Sequence, residues 1–206
     1  MGVARDERRL LVELLAEVGP DAPTLCDPWR TRDLAAHLVL RERRLDAAPG
    51  IMLKPLAGHT RRVQDAYAAK PWAELVDLVR QGPPRWSPFG PLDEPANAME
   101  YFVHHEDVRR AVDGWSPRSP EPARDAVLWR HVGRVARRTY RRSPVGVILR
   151  RPDGDAVTAK SGPNPVVLNG QVAELLLVAS GRDRVQVDFD GDPDAVRAVK
   201  TLDRSM

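Results

Sequence analysis

At 206 residues, with 42% apolar and 30% charged residues, the chain has enough apolar material for a real core and too much for wholesale disorder. A formal net charge of +3 is too slight to argue for nucleic acid by bulk charge, and no apolar run approaches the roughly 20 residues of a membrane span. The opening "MGVARDERR" lacks the apolar core of a signal peptide and a Ser or Thr at position 6 for myristoylation, and the single Cys26 forms no internal disulfide. These features point to a reducing, cytoplasmic location.

In chain order, Leu10, Leu11, Leu14, Leu15 and Val18 form a helical stripe within 4–18, stopped by Gly19-Pro20. A Pro-bearing loop ending near Trp29 leads to a second helix in "TRDLAAHLVLRERRLDA", with Thr31 expected as its N-cap. A third helical stretch runs from His59 to Arg80 with a break or restart at Pro71, followed by a breaker-rich loop, "QGPPRWSPFGPLDEP". Asp93 or a neighbour opens the helix containing "AMEYFVHHEDVRRAV", which Gly114 closes. One more helix spans about 121–142 and carries Val127, Leu128, Val132, Val135 and Tyr140.

Beyond Ser143-Pro144 the punctuation changes. "VGVILRR", "AVTAK", "PVVLNG" and "VQVDFDG" read as short strands, with "PDGD" as a turn. "QVAELLLVASG" reads as an amphipathic helix capped by Gly181, and "PDAVRAVKTL" as a terminal helix with Pro in its first turn. The expected fold class is therefore α+β: a helical bundle over 1–142 and a small α+β domain over 143–206.

On a helix, positions four apart differ by roughly 40° and positions seven apart by roughly 20°. Glu100, His104 and Asp107 thus share a face, and His105 turns away from it. A Glu and a His on one face can ligate a divalent metal, but a catalytic zinc takes about three protein ligands. The third is open between Asp107, which could instead hold the second nitrogen of His104, and a histidine from another helix. His37 is the best placed of these, mid-helix beside Leu34 and Leu38. The same spacing also suits a surface ion pair, and a lone His37 also suits a satisfied core position. Cys26 has no histidine or base near it in sequence, and "TLCDPW" reads as a packed loop and not as a nucleophile's setting. The strip Arg137, Arg138, Arg141 and Arg142 carries no recognition motif and reads as a solvated face or interdomain contact, not a nucleic-acid site.

"PTLCDPWRTRDLAAHLVLRERR" followed by "NAMEYFVHHEDVRRA" resembles the mycothiol-dependent maleylpyruvate isomerase group of the DinB-like metal-binding superfamily. The first signature is carried by Trp29, Asp33, Leu34, His37 and Leu38, the second by Glu100, His104, His105 and Asp107. The tail "ELLLVASGRDRVQVDFDGDPDAV" is similar to the isomerase's small C-terminal domain, a sterol-carrier-like module. The resemblance implies a DinB-like four-helix bundle plus an extra helix, with metal ligands His37, Glu100 and His104 and a supporting role for Asp107. It implies no catalytic side chain beyond the ligands, and sets Arg182 as a residue that could bind the thiol or the substrate. The implied cofactors are a divalent metal, zinc before nickel, iron or manganese, and mycothiol as cosubstrate.

A free thiol has a pKa near 8.5, so only a few per cent is thiolate at neutral pH, and metal coordination favours the anion. The implied function is S-transfer to, or cis–trans isomerisation of, a small electrophile by a metal-bound thiolate. Addition to an activated double bond permits rotation before release, whereas attack on an alkylating agent or epoxide leaves a stable S-conjugate. The alternative is a non-catalytic metal-binding protein of the same fold. Expected partners are the small thiol and electrophile, with neither nucleic acid nor membrane.

Overall fold

The computed structural model describes residues 2–87, 90 and 93–204. Four residues of the loop expected at 81–95, numbers 88, 89, 91 and 92, lie outside the described residues. The described chain is α+β, with eight α-helices and one four-stranded sheet. It divides into two compact units, one ending at Trp115 and the other beginning at Ser116.

The first unit holds α1 (Val3–Val18), α2 (Thr31–Arg43), α3 (Ala57–Ala68), α4 (Trp72–Gln81) and α5 (Asp93–Arg109). α1 packs on α4 and α5, and α2 packs on α3 and α4. Their shared core includes Leu11, Leu15, Leu34, Leu38, Leu75, Val79 and Tyr101, all fully buried. The stripe of α1 centres on Ala4, Leu11, Val12 and Leu15, with Leu10 and Leu14 half-buried at its edge and Val18 exposed. Gly19, at φ +79°, ends the helix in a conformation that a Cβ would disfavour. The stretch read as 59–80 is two helices, because Pro71 cannot supply the amide proton an uninterrupted helix needs.

Thr31 is not the N-cap of α2. It is the first helical residue, its hydroxyl donates to the Gly19 carbonyl at 2.6 Å, and the Asp33 carboxylate accepts the Arg30 N–H at 2.9 Å. This still satisfies an amide at the helix start, but from inside the first turn.

The second unit begins with α6 (Pro122–Thr139). Glu121 caps it, accepting from the Ala123 and Arg124 amides at 3.0 and 2.7 Å. The strands β1 (Val147–Arg150), β2 (Ala156–Lys160), β3 (Val166–Asn169) and β4 (Asp188–Asp190) lie in the order β2-β1-β3-β4. β1 is antiparallel to β2 and parallel to β3, and β3 is antiparallel to β4. Val147, Leu149, Val166 and Leu168 turn their side chains to the core face. All residues of α7 (Val172–Ala179) are buried, so this helix is central and not amphipathic as its sequence suggested. α6 packs on α7 and β2 through buried Leu128, Val132 and Ala136, which is why the division falls near 115 and not at the expected 143. Asp192 caps α8 (Pro193–Lys200), with Pro193 in the first turn as expected. Arg137, Arg138, Arg141 and Arg142 are all exposed. Among the described residues, no helix is long and apolar enough to cross a membrane.

Candidate metal centre

α2 and α5 face each other across a cluster of ionisable side chains. His37 comes from the middle of α2, and Glu100 and His104 from adjacent turns of α5. Glu100 Oε1 lies 3.4 Å from His37 Nε2 and 3.3 Å from His104 Nε2, and all three donor atoms fall within 4.8 Å of one another. Two donors bound at about 2.1 Å to one tetrahedral ion sit roughly 3.4 Å apart, so this spacing fits a shared divalent cation. The chemistry also fits: two imidazole nitrogens and one carboxylate oxygen form a set that a borderline cation such as zinc accepts.

Electrostatics divide the three residues unequally. Burial lowers the His37 pKa, and the nearby His104 adds to that effect, so His37 is neutral. Burial would also lower that of His104, but hydrogen bonds to Asp107, Cys26 and Glu100 outweigh it and hold the pKa well above the ordinary value. Burial pushes the Glu100 carboxyl up, and the bonds from His104 and His37 overcome this, leaving it well below the usual carboxylate range. Arg41 Nε, 3.6 Å from Glu100 Oε1, adds a second positive charge beside the carboxylate. Without metal the site is thus a His104–Glu100 ion pair with a neutral His37 alongside.

Asp107 stands behind His104, not beside the three converging atoms: its Oδ2 accepts from His104 Nδ1 at 3.0 Å. Among the described residues His37 has no such support, its buried Nδ1 making no hydrogen bond there. Instead the Trp29 ring packs on it, with centroids 5.0 Å apart. His105 lies apart from the cluster, with Nδ1 3.1 Å from the buried Glu7 of α1. Arg182 belongs to the second unit, where it follows α7 and donates to the Ser180 carbonyl at 2.6 Å.

Two features escaped the reading of the sequence. Cys26, with no base near it in sequence, donates to Asp107 Oδ2 at 3.1 Å, across 81 positions of chain. Cys26, His104 and Asp107 also offer donor atoms within 4.8 Å of one another, but on the Nδ1 side of the imidazole and at hydrogen-bonding separations. The second feature is a cleft of about 560 Å³ beside His37. Pro28, Trp29 and Ile51 give it an apolar wall, and Asp33, Asp65 and Arg61 supply its charges. Met52, Leu53 and Leu56, which follow Ile51, are exposed.

No protein-family model and no curated protein sequence matches this chain. Among solved structures, two crystal structures of mycothiol-dependent maleylpyruvate isomerase share its fold. One, of a histidine-to-alanine mutant, aligns with a TM-score of 0.66 and the other with 0.63. Each is 14% identical, and each alignment covers 91% of this chain and 90% of that one.

Proposed function

We propose that this protein is a metal-dependent enzyme in which a low-molecular-weight thiol, mycothiol first among candidates, attacks or reversibly adds to a small electrophile. The reading takes the bundle as DinB-like and His37, Glu100 and His104 as ligands of one divalent cation, zinc before others. One observation carries it: three donors of the right chemistry converge from two helices beside a cleft large enough for a small molecule. The shared fold with an isomerase named for its dependence on mycothiol supports the choice of thiol.

When bound, the cation supplies Lewis acidity that favours the thiolate form of the cosubstrate's sulfur. The chain's own residues prepare the place. Asp107 and Trp29 restrict the two imidazoles, and Arg41 offsets the Glu100 charge. The thiolate sulfur forms a bond to the electrophilic carbon. In transfer a leaving group departs with the displaced electron pair, and in isomerisation the same C–S bond breaks after rotation.

The cleft also speaks to the electrophile. Asp33 and Asp65 set two carboxylates against one guanidinium, Arg61. A like charge at about 4 Å costs about 1 kcal/mol even in water, a factor of about five in rate. Neutral epoxides or alkyl halides are therefore expected to outrun maleate-like dicarboxylates by up to about that factor, since Arg61 and Asp65 are exposed and salt screens them.

The deciding experiment adds mycothiol to the zinc-loaded protein and follows thiolate absorbance and thermal stability, since a ligand of the folded state must stabilise it. A protein that takes up zinc but shows neither change on adding thiol would leave the non-catalytic metal-binding alternative. A companion control is His105→Ala. It should leave zinc affinity unchanged and cost the fold about 1–3 kcal/mol, because the buried Glu7 loses that bond.

A further inference from the structure

The loop between α1 and α2 meets Asp107 of α5 twice. The Leu25 amide donates to the Asp107 carbonyl at 3.0 Å, and the Cys26 thiol donates to Asp107 Oδ2 at 3.1 Å. The same Oδ2 meets His104 Nδ1 at 3.0 Å, and Cys26 Sγ lies 3.9 Å from that nitrogen. Asp107 is 0% exposed. An ionised carboxylate only accepts, so both partners of Oδ2 must be donors: the thiol gives S–H, and the imidazole gives Nδ1–H. With one proton held on Nδ1, Nε2, the atom that faces Glu100 at 3.3 Å, is the nitrogen that would give up its proton and offer a lone pair to a bound cation.

We propose that Cys26 is a positioning residue: its thiol fixes the Asp107 carboxylate that holds the proton on His104 Nδ1, leaving His104 Nε2 to ligate with His37 and Glu100. This rests on the three residues forming a metal centre. The loop then serves both histidines, because Trp29, three residues after Cys26, packs on His37. A carboxylate bonded to a histidine can swing about its own side-chain torsions. A second donor on the same oxygen narrows that motion, which is how partners behind a ligand tune its affinity for metal. The thiol's proton points at a carboxylate, not toward the cleft, and this gives a conserving function to the one protein thiol without making it a nucleophile.

The test compares Cys26→Val, which keeps approximate volume and removes the S–H, with Cys26→Ser, which keeps a donor. Zinc affinity is read by competition with a chromophoric chelator, and the His104 Nδ1–H proton by NMR in the metal-free protein. Cys26→Val is expected to bind zinc about 10- to 100-fold more weakly, with faster exchange of that proton with water. Cys26→Ser should recover most of the affinity and the protection. Equal affinity in parent and Cys26→Val, or equal losses in the Val and Ser variants accompanied by equal falls in melting temperature, would overturn the proposal. So would a second equivalent of zinc that disappears in Cys26→Val, because the thiol would then be a ligand. If Cys26→Val does not fold, Cys26→Ala carries the same comparison. If the parent takes up no zinc, the metal reading fails, and the protection of the Nδ1 proton still decides whether Cys26 positions the ring.

Discussion

Replacing His37 by alanine is expected to lower zinc affinity by more than about 100-fold and to abolish thiol-dependent turnover, with only about 1 kcal/mol lost from the metal-free fold. The asymmetry follows from the charge state of the cluster. His37 is held neutral by burial, and its Nδ1 makes no hydrogen bond among the described residues, so truncation strands no charge and leaves the His104–Glu100 pair intact. Glu100→Ala should behave differently. It also removes a ligand, but it leaves the buried His104 imidazolium and Arg41 without the carboxylate between them. Losing that partner costs about 1–3 kcal/mol, Asp107 remaining as the imidazolium's other carboxylate. Thermal melts with and without zinc separate the two: His37→Ala should lose the zinc-induced rise while keeping a near-parental metal-free transition, and Glu100→Ala should lose both. A His37→Ala protein that keeps parental zinc affinity would remove His37 from the centre and the enzymatic reading with it.

The half of this cluster that lies on α5 was legible because one helix fixes its own angular relations. Positions 100, 104 and 107 share a face and 105 does not, whatever the helix packs against, and the structure keeps this separation: His105 pairs with Glu7 instead. His37 needed more than spacing. Nothing within α2 says which neighbour its imidazole meets, and the family resemblance supplied that expectation. The contact of Cys26 with Asp107 was not legible, because it closes across 81 positions of chain. The helices and strands were legible from periodicity and breakers, down to the interruption at Pro71. The grouping of α6 was not. Its apolar face suits a bundle as well as a sheet-and-helix unit, and only the burial of α7 on every side reveals what α6 covers. A set of buried polar groups beside the centre was invisible for a related reason: its members come from three helices and none forms a motif.

That polar set produces the second large expected effect, a pH-dependent penalty at Glu42. Its carboxylate accepts from Tyr101 Oη at 2.8 Å and Asn97 Nδ2 at 3.0 Å, tying α2 to α5 within two turns of His37. Asp93 pairs with Arg8 and accepts from Asn97 Nδ2 at 2.7 Å, and Arg41 donates to Asn97 Oδ1. Burial pushes the Glu42 pKa up to about 7 from 4.5; the Tyr101 bond and the charges of Arg8 and Arg41 recover only part of the shift, and Asp93 opposes them. A carboxyl with a raised folded pKa binds more protons folded than unfolded between those two values, so stability falls as pH rises through that window. Below pH 4.5 both states are protonated and nothing is lost. Above pH 7 the cost is complete, about 3 kcal/mol at 1.36 kcal/mol per pKa unit. Glu42→Gln keeps the acceptor that serves Tyr101 and Asn97 and never ionises. Its stability relative to the parent should therefore rise from near zero below pH 4.5 to about 3 kcal/mol above pH 7. Urea unfolding of both proteins at pH 4.5 and 8 in the presence of a chelator reads this difference, since the titrations of the centre itself are shared and cancel. Equal stability at both pH values, or a Gln variant weaker at pH 8, would show that the carboxylate is better compensated than its burial implies. Because Gln preserves the two bonds that set α2 against α5, zinc affinity should be unchanged. The charge of Glu42 would then be a burden on folding, and its acceptor oxygen the part that keeps His37 in register with Glu100 and His104.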